Sequence, residues 1–449
     1  MIIKGVTYVR NSKFVRASVV VNEETGVIED VKVGYLVSSA GDEVIDVTNE
    51  RFRVLPGFID IHTHLRDLKY SYKEDYFTGT SAAARGGVVL VCDMPNTEPP
   101  TNSLSNLMLK LEVARGKALT DYGIYYGMPL SSEELSEVVK YVIGFKFYPN
   151  DVFVNPDLRT LAEVIKLASL NNQLLVFHAE DPNYFIKGVS PGMERPSEAE
   201  YFGVRYVVKL ISGLCRRLGI DGVKVHITHV SSGRTVGLVS GFREYLRGLV
   251  RLSIDVTPHH LLLDNSLYSI NAGLYKVYPT LKTRLDNLSL YKSLVSGSID
   301  LIASDHAPHA LSEKLRDYDE ALPGYPGLET TSSILLTMVS EGLLSLEDVV
   351  NYYSYAPAKL LGIYPRLGVI DVGSYASLVV IDLKSTWVVK PEEFLSKAKY
   401  SPFSGWLLRG RTYLTMVRGR VVYEGNELVR SLRGWGVNVR ELMEVKGSN

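Results

Sequence analysis

Two histidines lie one residue apart at the end of an apolar run, in the stretch IDIHTHLRD at residues 59–67. Side chains at i and i+2 of a β-strand point to the same side, so His62 and His64 would direct both imidazoles into one space. Imidazole nitrogens are common ligands of zinc. The spacing is compatible with a metal site, and the alternative is a pair of polar residues at a strand end.

The other histidines follow the same pattern along the chain. Each falls at or just beyond the C-terminal end of a predicted strand, and none falls in a predicted helix or in the β-rich ends. The nine are His62, His64, His178, His226, His229, His259, His260, His306 and His309. Histidines placed for packing or solubility would be scattered, so the set favours a metal centre.

A hydrolytic site with two metals needs several nitrogen ligands and a bridging anion. His62 and His64 can hold one metal, while His178 and His229, from neighbouring predicted strands, can hold the second. Asp305 follows IAS at the end of the last predicted strand. Its carboxylate can both bind a metal and accept a proton from water.

Lys146 lies between two phenylalanines in GFKFYP, which is a poor place for an ammonium. The ordinary interpretation is a lysine that snorkels or forms a salt bridge. Desolvation beside two cations would instead lower its pKa, and the neutral amine could then react with carbon dioxide. The resulting carbamate would supply the bridging anion.

The elements that must position these residues alternate between strand and helix patterns. Helical spacing is clear at 158–170 and 199–219. Eight short apolar runs, rich in Val and Ile, lie at 57–64, 87–95, 121–129, 141–149, 174–181, 223–231, 252–260 and 299–309. Eight such units predict an α/β fold of the (β/α)8 barrel type, whose functional residues gather at the C-terminal ends of the strands. An open doubly wound sheet is the alternative, but no GxGxxG follows an early strand.

Both ends of the chain have a different, alternating apolar and polar pattern, as in VIEDVKVGYLV and TYLTMVRGRVVYEG. They predict one discontinuous β-domain, residues 1–55 plus 365–449, around a barrel of residues 56–364.

Composition limits the function further. A formal net charge of -1 provides no basic excess for nucleic acid, and Cys92 and Cys215 are too few and too far apart for a disulfide framework or thiolate metal site. Neither a signal peptide nor a membrane-spanning run is found, so a cytoplasmic protein with no membrane partner is expected.

Taken in order, the motifs resemble the amidohydrolase superfamily and, within it, the dihydroorotases. They are LPGFIDIHTHLRD, GTSAAARGG, CDMPNTEPP, GFKFYP, VFHAED, HITHVSS, TPHHLLL, SDHAPH and PGLET. The resemblance implies a (β/α)8 barrel with a small β-sandwich made by both chain ends. It also implies two zinc ions and reversible hydrolysis of dihydroorotate to N-carbamoyl-aspartate, in pyrimidine biosynthesis.

Residue by residue, the resemblance implies metal ligation by His62, His64, carboxylated Lys146, His178, His229 and Asp305. Asp305 would also pass a proton to the leaving nitrogen. The substrate carboxylate would contact Arg66 of HxHxR, Asn96 of MPNT and the last histidine of DxAPH, His309. A guanidinium that binds in a bidentate manner suits that carboxylate. The expected partner is this small molecule, with a homo-oligomer possible.

The chain departs from the family pattern in three places. Tyr278, in KVYPTLKTR, stands where an asparagine is common; it can still hydrogen-bond substrate but alters the pocket. LKYSYKED follows HLRD where EPG is frequent, and Ser377 replaces an aspartate.

Alternative functions are another cyclic amidohydrolase, an allantoinase or a hydantoinase (dihydropyrimidinase), or a non-catalytic scaffold. Arg66 with MPNT favours dihydroorotate because a hydantoin needs no carboxylate contacts. Retention of all six ligands disfavours the scaffold.

Overall fold

The structure is a computed structural model that describes residues 1–10, 13–34 and 43–444. The strands are β1 (Ile2–Arg10), β2 (Lys13–Val21), β3 (Ile28–Val33), β4 (Val44–Asp46), β5 (Phe52–Pro56), β6 (Phe58–Thr63), β7 (Val88–Asp93), β8 (Asp121–Tyr126), β9 (Gly144–Phe147), β10 (Leu174–Phe177), β11 (Val223–Ile227), β12 (Val250–Val256), β13 (Leu301–Ile302), β14 (Leu378–Val388), β15 (Leu407–Val417), β16 (Arg420–Glu424) and β17 (Glu427–Leu428). The α-helices are α1 (Tyr76–Arg85), α2 (Leu104–Lys117), α3 (Leu135–Val138), α4 (Pro149–Phe153), α5 (Leu158–Leu170), α6 (Ser197–Leu218), α7 (Gly233–Tyr245), α8 (Pro258–Leu262), α9 (Tyr268–Asn271), α10 (Arg284–Val295), α11 (Leu311–Lys314), α12 (Leu328–Ser340), α13 (Leu346–Val350), α14 (Ala356–Leu361) and α15 (Val439–Glu444).

Strands β6 to β13 form one parallel sheet in chain order, as a barrel requires. The last strand is short, and the ring is completed by a bridge between Thr63 and His306, next to which His64 N donates to His306 O at 2.7 Å. β6 to β11 are buried throughout, because helices cover their outer side and side chains fill the interior. The predicted (β/α)8 barrel is confirmed.

The predicted strand runs extend past the observed strands at their C-terminal ends. The run at 252–260 ends as β12 at Val256, because Thr257 caps a new turn and Pro258 occupies the first position of α8. His259 and His260 therefore lie in a short helix, so the expectation that no histidine is helical was wrong. By contrast, the helix predicted at 158–170 matches α5, which begins after its Asp157 cap.

The two chain ends build a β-sandwich. One sheet has the order β3-β2-β1-β4 and the other β17-β16-β15-β14-β5, in which β14 pairs antiparallel with β5. Side chains from both sheets, including Val19 and Met416, share one buried cluster. The predicted sandwich is thus confirmed, whereas its exact boundaries stay a prediction. Among the described residues, no helix is long and apolar enough to cross a membrane.

Candidate metal centre and substrate pocket

The structure brings the six predicted ligands together at the C-terminal end of the barrel. His62 lies on β6 and Lys146 on β9, while the others lie one to three residues beyond the end of a strand. All six, His62, His64, Lys146, His178, His229 and Asp305, line one cavity of about 510 Å³. A barrel places the carboxyl ends of its strands around a single opening, so residues far apart in sequence meet there.

Three of these residues form a compact donor set. Asp305 Oδ1 lies 3.2 Å from His62 Nε2 and 3.3 Å from His64 Nε2, and one donor atom from each residue lies within 4.8 Å of the others. All three side chains are buried. Two imidazole nitrogens and a carboxylate oxygen at this spacing are a possible divalent metal site.

Two further buried donors have no hydrogen-bond partner in the structure, Lys146 Nζ and His229 Nδ1. Buried polar atoms are normally paired, so such atoms in one cavity indicate a missing partner. Burial lowers the pKa of Lys146 and raises the pKa of Asp305. The donor chemistry, together with the unpartnered atoms, fits bound metal.

Hydrogen bonds fix which ring nitrogen of His64 and of His178 faces the cavity. His64 Nδ1 lies 2.7 Å from Asn96 Oδ1, which can only accept, so Nε2 carries the lone pair. His178 Nε2 lies 2.7 Å from a Glu180 carboxylate oxygen, so its Nδ1 is the ligand atom. Partners of this kind orient metal-binding histidines and raise their basicity.

His62 is oriented by a relay through the barrel interior. Its Nδ1 contacts the hydroxyl of Thr228, which in turn donates to Asp255 Oδ2 at 2.8 Å. The other oxygen of Asp255 accepts from His229 N at 2.8 Å, and His226 Nε2 also binds this carboxylate. One buried aspartate therefore positions two candidate ligands. His226 itself faces this relay rather than the cavity.

Replacing Thr228 with valine tests this relay. Valine keeps the shape but removes the hydroxyl, so His62 loses its partner and Asp255 loses a donor. We expect zinc affinity to fall by about 10- to 100-fold, as is typical when a residue that hydrogen-bonds a metal ligand is replaced. Competitive chelator titration measures this. A Thr160→Val control removes a hydroxyl that bonds the Asp157 helix cap, and it should leave zinc affinity unchanged. An unchanged affinity in Thr228→Val would contradict the relay.

Three residues of the site have a left-handed backbone. The φ angles are 59° at Arg66, 44° at His229 and 46° at Asp305. Residues other than glycine rarely adopt this conformation, and it concentrates at functional sites where the surroundings impose it. At His229 the imposing contact is the hydrogen bond from its N–H to Asp255.

The predicted substrate-binding residues divide between two adjoining cavities. Arg66, Asn96 and Tyr278 line the cavity of the metal ligands. His309 lines a neighbouring cavity of about 440 Å³, whose wall also includes Arg66 and Asn96. Arg66 Nη2 lies 3.3 Å from His309 Nε2. The guanidinium of Arg66 therefore lies between the two cavities.

Sequence reasoning missed the surroundings of Tyr278. The Arg195 guanidinium lies 3.4 Å from the centroid of the Tyr278 ring and 4.3 Å from that of Phe185, and it bonds Glu180 at 2.7 Å. Burial alone would raise the pKa of Glu180. Arg195 and His178 stabilise its charge more strongly and lower the pKa to about 2. This stack fixes Tyr278 at the cavity wall. Tyr148 was also missed; its buried hydroxyl has no partner.

The comparisons with known proteins agree with this geometry. The sequence profile of the amidohydrolase family matches residues 53–422. A protein named dihydroorotase from Pyrococcus furiosus is 34% identical over 409 residues, 91% of this chain and 90% of its own length. A second, from Ligilactobacillus salivarius, is 35% identical over 437 residues, 94% of this chain and 99% of its own.

Solved structures of related enzymes are similar over nearly the whole chain. The L-hydantoinase (dihydropyrimidinase) of Arthrobacter aurescens has a TM-score of 0.86 at 27% identity, covering 97% of this chain and 98% of its own. The dihydropyrimidinase of Brevibacillus agri has a TM-score of 0.86 at 26% identity, covering 98% of each.

This chain belongs to the amidohydrolase family. The resemblance found in the motifs is confirmed, and so is the enzyme class, a cyclic amidohydrolase that acts on a small molecule. The family is metal-dependent, in agreement with the possible metal site of His62, His64 and Asp305.

Proposed function

We propose that this protein is a dihydroorotase, which reversibly hydrolyses the ring amide of L-dihydroorotate to N-carbamoyl-L-aspartate. The observation that carries the proposal is Arg66, a buried guanidinium at the wall of the cavity that holds the candidate metal ligands. A buried cation needs an anionic partner, and dihydroorotate carries a carboxylate on its ring. Relatives named dihydroorotase, at 34% and 35% identity, support the same substrate.

Arg66 and Asn96 form the carboxylate side of the pocket in this proposal. Arg66 Nε donates to Pro308 O at 3.1 Å, which fixes the guanidinium plane and leaves other N–H groups for the substrate. Asn96 Oδ1 is already bound to His64 Nδ1, so its amide N–H groups remain to donate. The same asparagine would thus orient a ligand histidine and bind the carboxylate.

His62, His64, Lys146, His178, His229 and Asp305 are the residues that would hold two zinc ions. Bound there, the zinc ions would lower the pKa of a water and polarise the amide carbonyl. Asp305 accepts a proton from the attacking water through its carboxylate. The water oxygen joins the carbonyl carbon, the ring C–N bond breaks, and Asp305 returns the proton to the leaving nitrogen.

We also propose that Lys146 is carboxylated. Its Nζ is buried without a hydrogen-bond partner, although it lies in the cavity wall among the candidate ligands. A carbamate would convert this isolated amine into an anion, which would add an oxygen ligand to the residues that would hold the metal.

The second candidate is a hydantoinase. The solved structures with TM-scores of 0.86 favour it, and so does the aromatic wall made by Tyr278 and Phe185, which suits a ring without a carboxylate. Arg66 is the discriminating residue, because a neutral ring leaves its charge unpaired.

Replacing Arg66 with methionine tests the substrate class. We expect kcat/KM for L-dihydroorotate to fall by about 100-fold or more, mainly through KM, because a buried charge-assisted contact to the carboxylate is lost. Activity on hydantoin should change little. Arg234, on α7 and paired with Glu198, is a matched control for loss of an arginine. An equal loss on both substrates would contradict a carboxylate role for Arg66.

The proposed setting is the cytoplasm, with the small substrate and product as partners. A homo-oligomer stays a prediction.

A further inference from the structure

Tyr148 has a buried hydroxyl that the proposed reaction does not use. The residue follows β9, two positions after Lys146, and its side chain lines the cavity of the candidate metal ligands. The hydroxyl oxygen has no hydrogen-bond partner among the described residues. Buried hydroxyls are normally paired, so an unpaired one in the wall of a substrate cavity indicates a partner that arrives with the ligand.

The start of α4 fixes the backbone of Tyr148. Tyr148 N donates to Asp151 Oδ2 at 2.8 Å, and Asp151 N donates to Tyr148 O at 3.0 Å. Pro149 occupies the first turn of the helix, where a missing N–H costs no helical hydrogen bond. The centroid of the tyrosine ring lies 5.5 Å from Lys146 Nζ. The ring is therefore held beside the candidate ligands, and its hydroxyl is the polar end left for a bound molecule.

The order of the strands places Tyr148 on the carboxylate side of the cavity. Strands β6, β7, β8 and β9 are neighbours in that order. Arg66 follows β6 and Asn96 follows β7, and no described residue between Asn96 and Lys146 lines the cavity. Tyr148 thus belongs to the next part of the wall after Asn96. Burial raises the pKa of Tyr148 well above its usual range, and among the neighbouring charges Arg66 affects this pKa most, as expected for a hydroxyl near the guanidinium.

A carboxylate can accept hydrogen bonds from three side chains at once, because its two oxygens carry four lone-pair positions. Arg66 Nε is engaged by Pro308 O, so the guanidinium keeps the edge formed by its two Nη atoms for the carboxylate. Asn96 offers an amide N–H, since its Oδ1 is bound to His64. A further donor fits the acceptor position that remains.

We propose that the Tyr148 hydroxyl donates a hydrogen bond to the substrate carboxylate, as a third donor beside Arg66 and Asn96. This inference rests on the proposed function and deepens it, because it adds a residue that selects the substrate. A ring without a carboxylate would leave the buried hydroxyl unpaired, and sites built to hydrogen-bond a ligand group discriminate strongly against ligands that lack it. Tyr148 is therefore a specificity-determining residue.

The test compares wild type with Tyr148→Phe, which removes the hydroxyl and keeps the ring. Tyr125→Phe is the matched control. Tyr125 also has a buried hydroxyl without a partner in the part of the chain that the structure describes, but it belongs to a core cluster and not to the cavity wall. Calorimetry measures binding of orotate and of uracil, which differ only in the ring carboxylate, to the zinc-loaded proteins. Zinc content and steady-state kinetics with L-dihydroorotate are measured on the same samples.

We expect orotate to bind Tyr148→Phe about 10- to 100-fold more weakly than wild type, as for loss of a hydrogen bond to a charged group. Uracil binding and zinc content should not change. KM for L-dihydroorotate should rise by a similar factor with little change in kcat, because the contact is made equally in the ground state and the transition state. Tyr125→Phe should match wild type in every measurement.

Unchanged orotate binding in Tyr148→Phe would overturn the proposal, and so would failure of wild type to bind orotate. Equal weakening of orotate and uracil would assign the hydroxyl to the ring instead, a fall in kcat at constant KM would assign it to the reacting carbonyl, and loss of zinc would assign it to the metal site. Each of these results would refute the carboxylate contact. If wild type binds orotate but does not hydrolyse L-dihydroorotate, the proposed function fails, while the orotate comparison still decides the role of Tyr148.

Discussion

Replacement of Asp305 with asparagine is expected to lower kcat for L-dihydroorotate by about 1000-fold or more. Asparagine keeps the shape of the side chain and one oxygen beside His62 and His64. It cannot accept a proton and return it to the leaving nitrogen, and general acid–base steps of this kind contribute about 10²- to 10⁴-fold. Steady-state kinetics and zinc analysis on the same sample measure both effects.

Zinc content separates the two roles of Asp305. If zinc is retained and kcat is lost, proton transfer is the missing step; if zinc is lost as well, ligation contributes. Asp264→Asn is a suitable control, because Asp264 caps the turn at Ser266. Normal turnover by Asp305→Asn with full zinc content would refute the assignment of Asp305 as the base.

Replacement of Lys146 with alanine is expected to reduce bound zinc below two ions per chain. Without the carbamate the site would lose one anionic ligand for zinc, and kcat/KM should fall by at least about 100-fold. Native mass spectrometry should show wild type heavier by one carbon dioxide than its sequence mass, and Lys146→Ala should lack this addition.

Lys224→Ala is the matched control for loss of a buried barrel lysine. Lys224 lies on β11 at the opposite end of the barrel and donates to Asn172 O and Leu360 O. Its removal should lower stability but leave both zinc ions in place. Two zinc ions and normal activity in Lys146→Ala would disprove the carbamate.

Much of the fold follows from local patterns. Eight apolar runs separated by helical spacing specify a barrel because each unit must bury a strand and cover it with a helix. The ends of the strands were harder to place, since a cap such as Thr257 followed by Pro258 turns an apolar run into a helix within one residue. The sandwich could be predicted because apolar and polar residues alternate at both ends of the chain.

The candidate ligands were also accessible from sequence, because a histidine at a strand end is a local feature. The residues that orient them were not. Thr228 bonds His62 across 166 positions. The Arg195 guanidinium stacks on Tyr278 because of the course that its loop takes. Such pairings depend on tertiary packing, and no spacing in the sequence encodes them. HAED did carry a signal, because Glu180 lies two residues after His178, the histidine that it orients.

The most direct test of the account is turnover of L-dihydroorotate by the zinc-loaded wild-type protein treated with bicarbonate, with hydantoin and allantoin as parallel substrates. We predict hydrolysis of L-dihydroorotate to N-carbamoyl-L-aspartate, and a kcat/KM that exceeds those for both rings without a carboxylate. Preferential hydrolysis of hydantoin or allantoin would contradict the proposed substrate and the role of Arg66, and inactivity on all three would favour a non-catalytic scaffold.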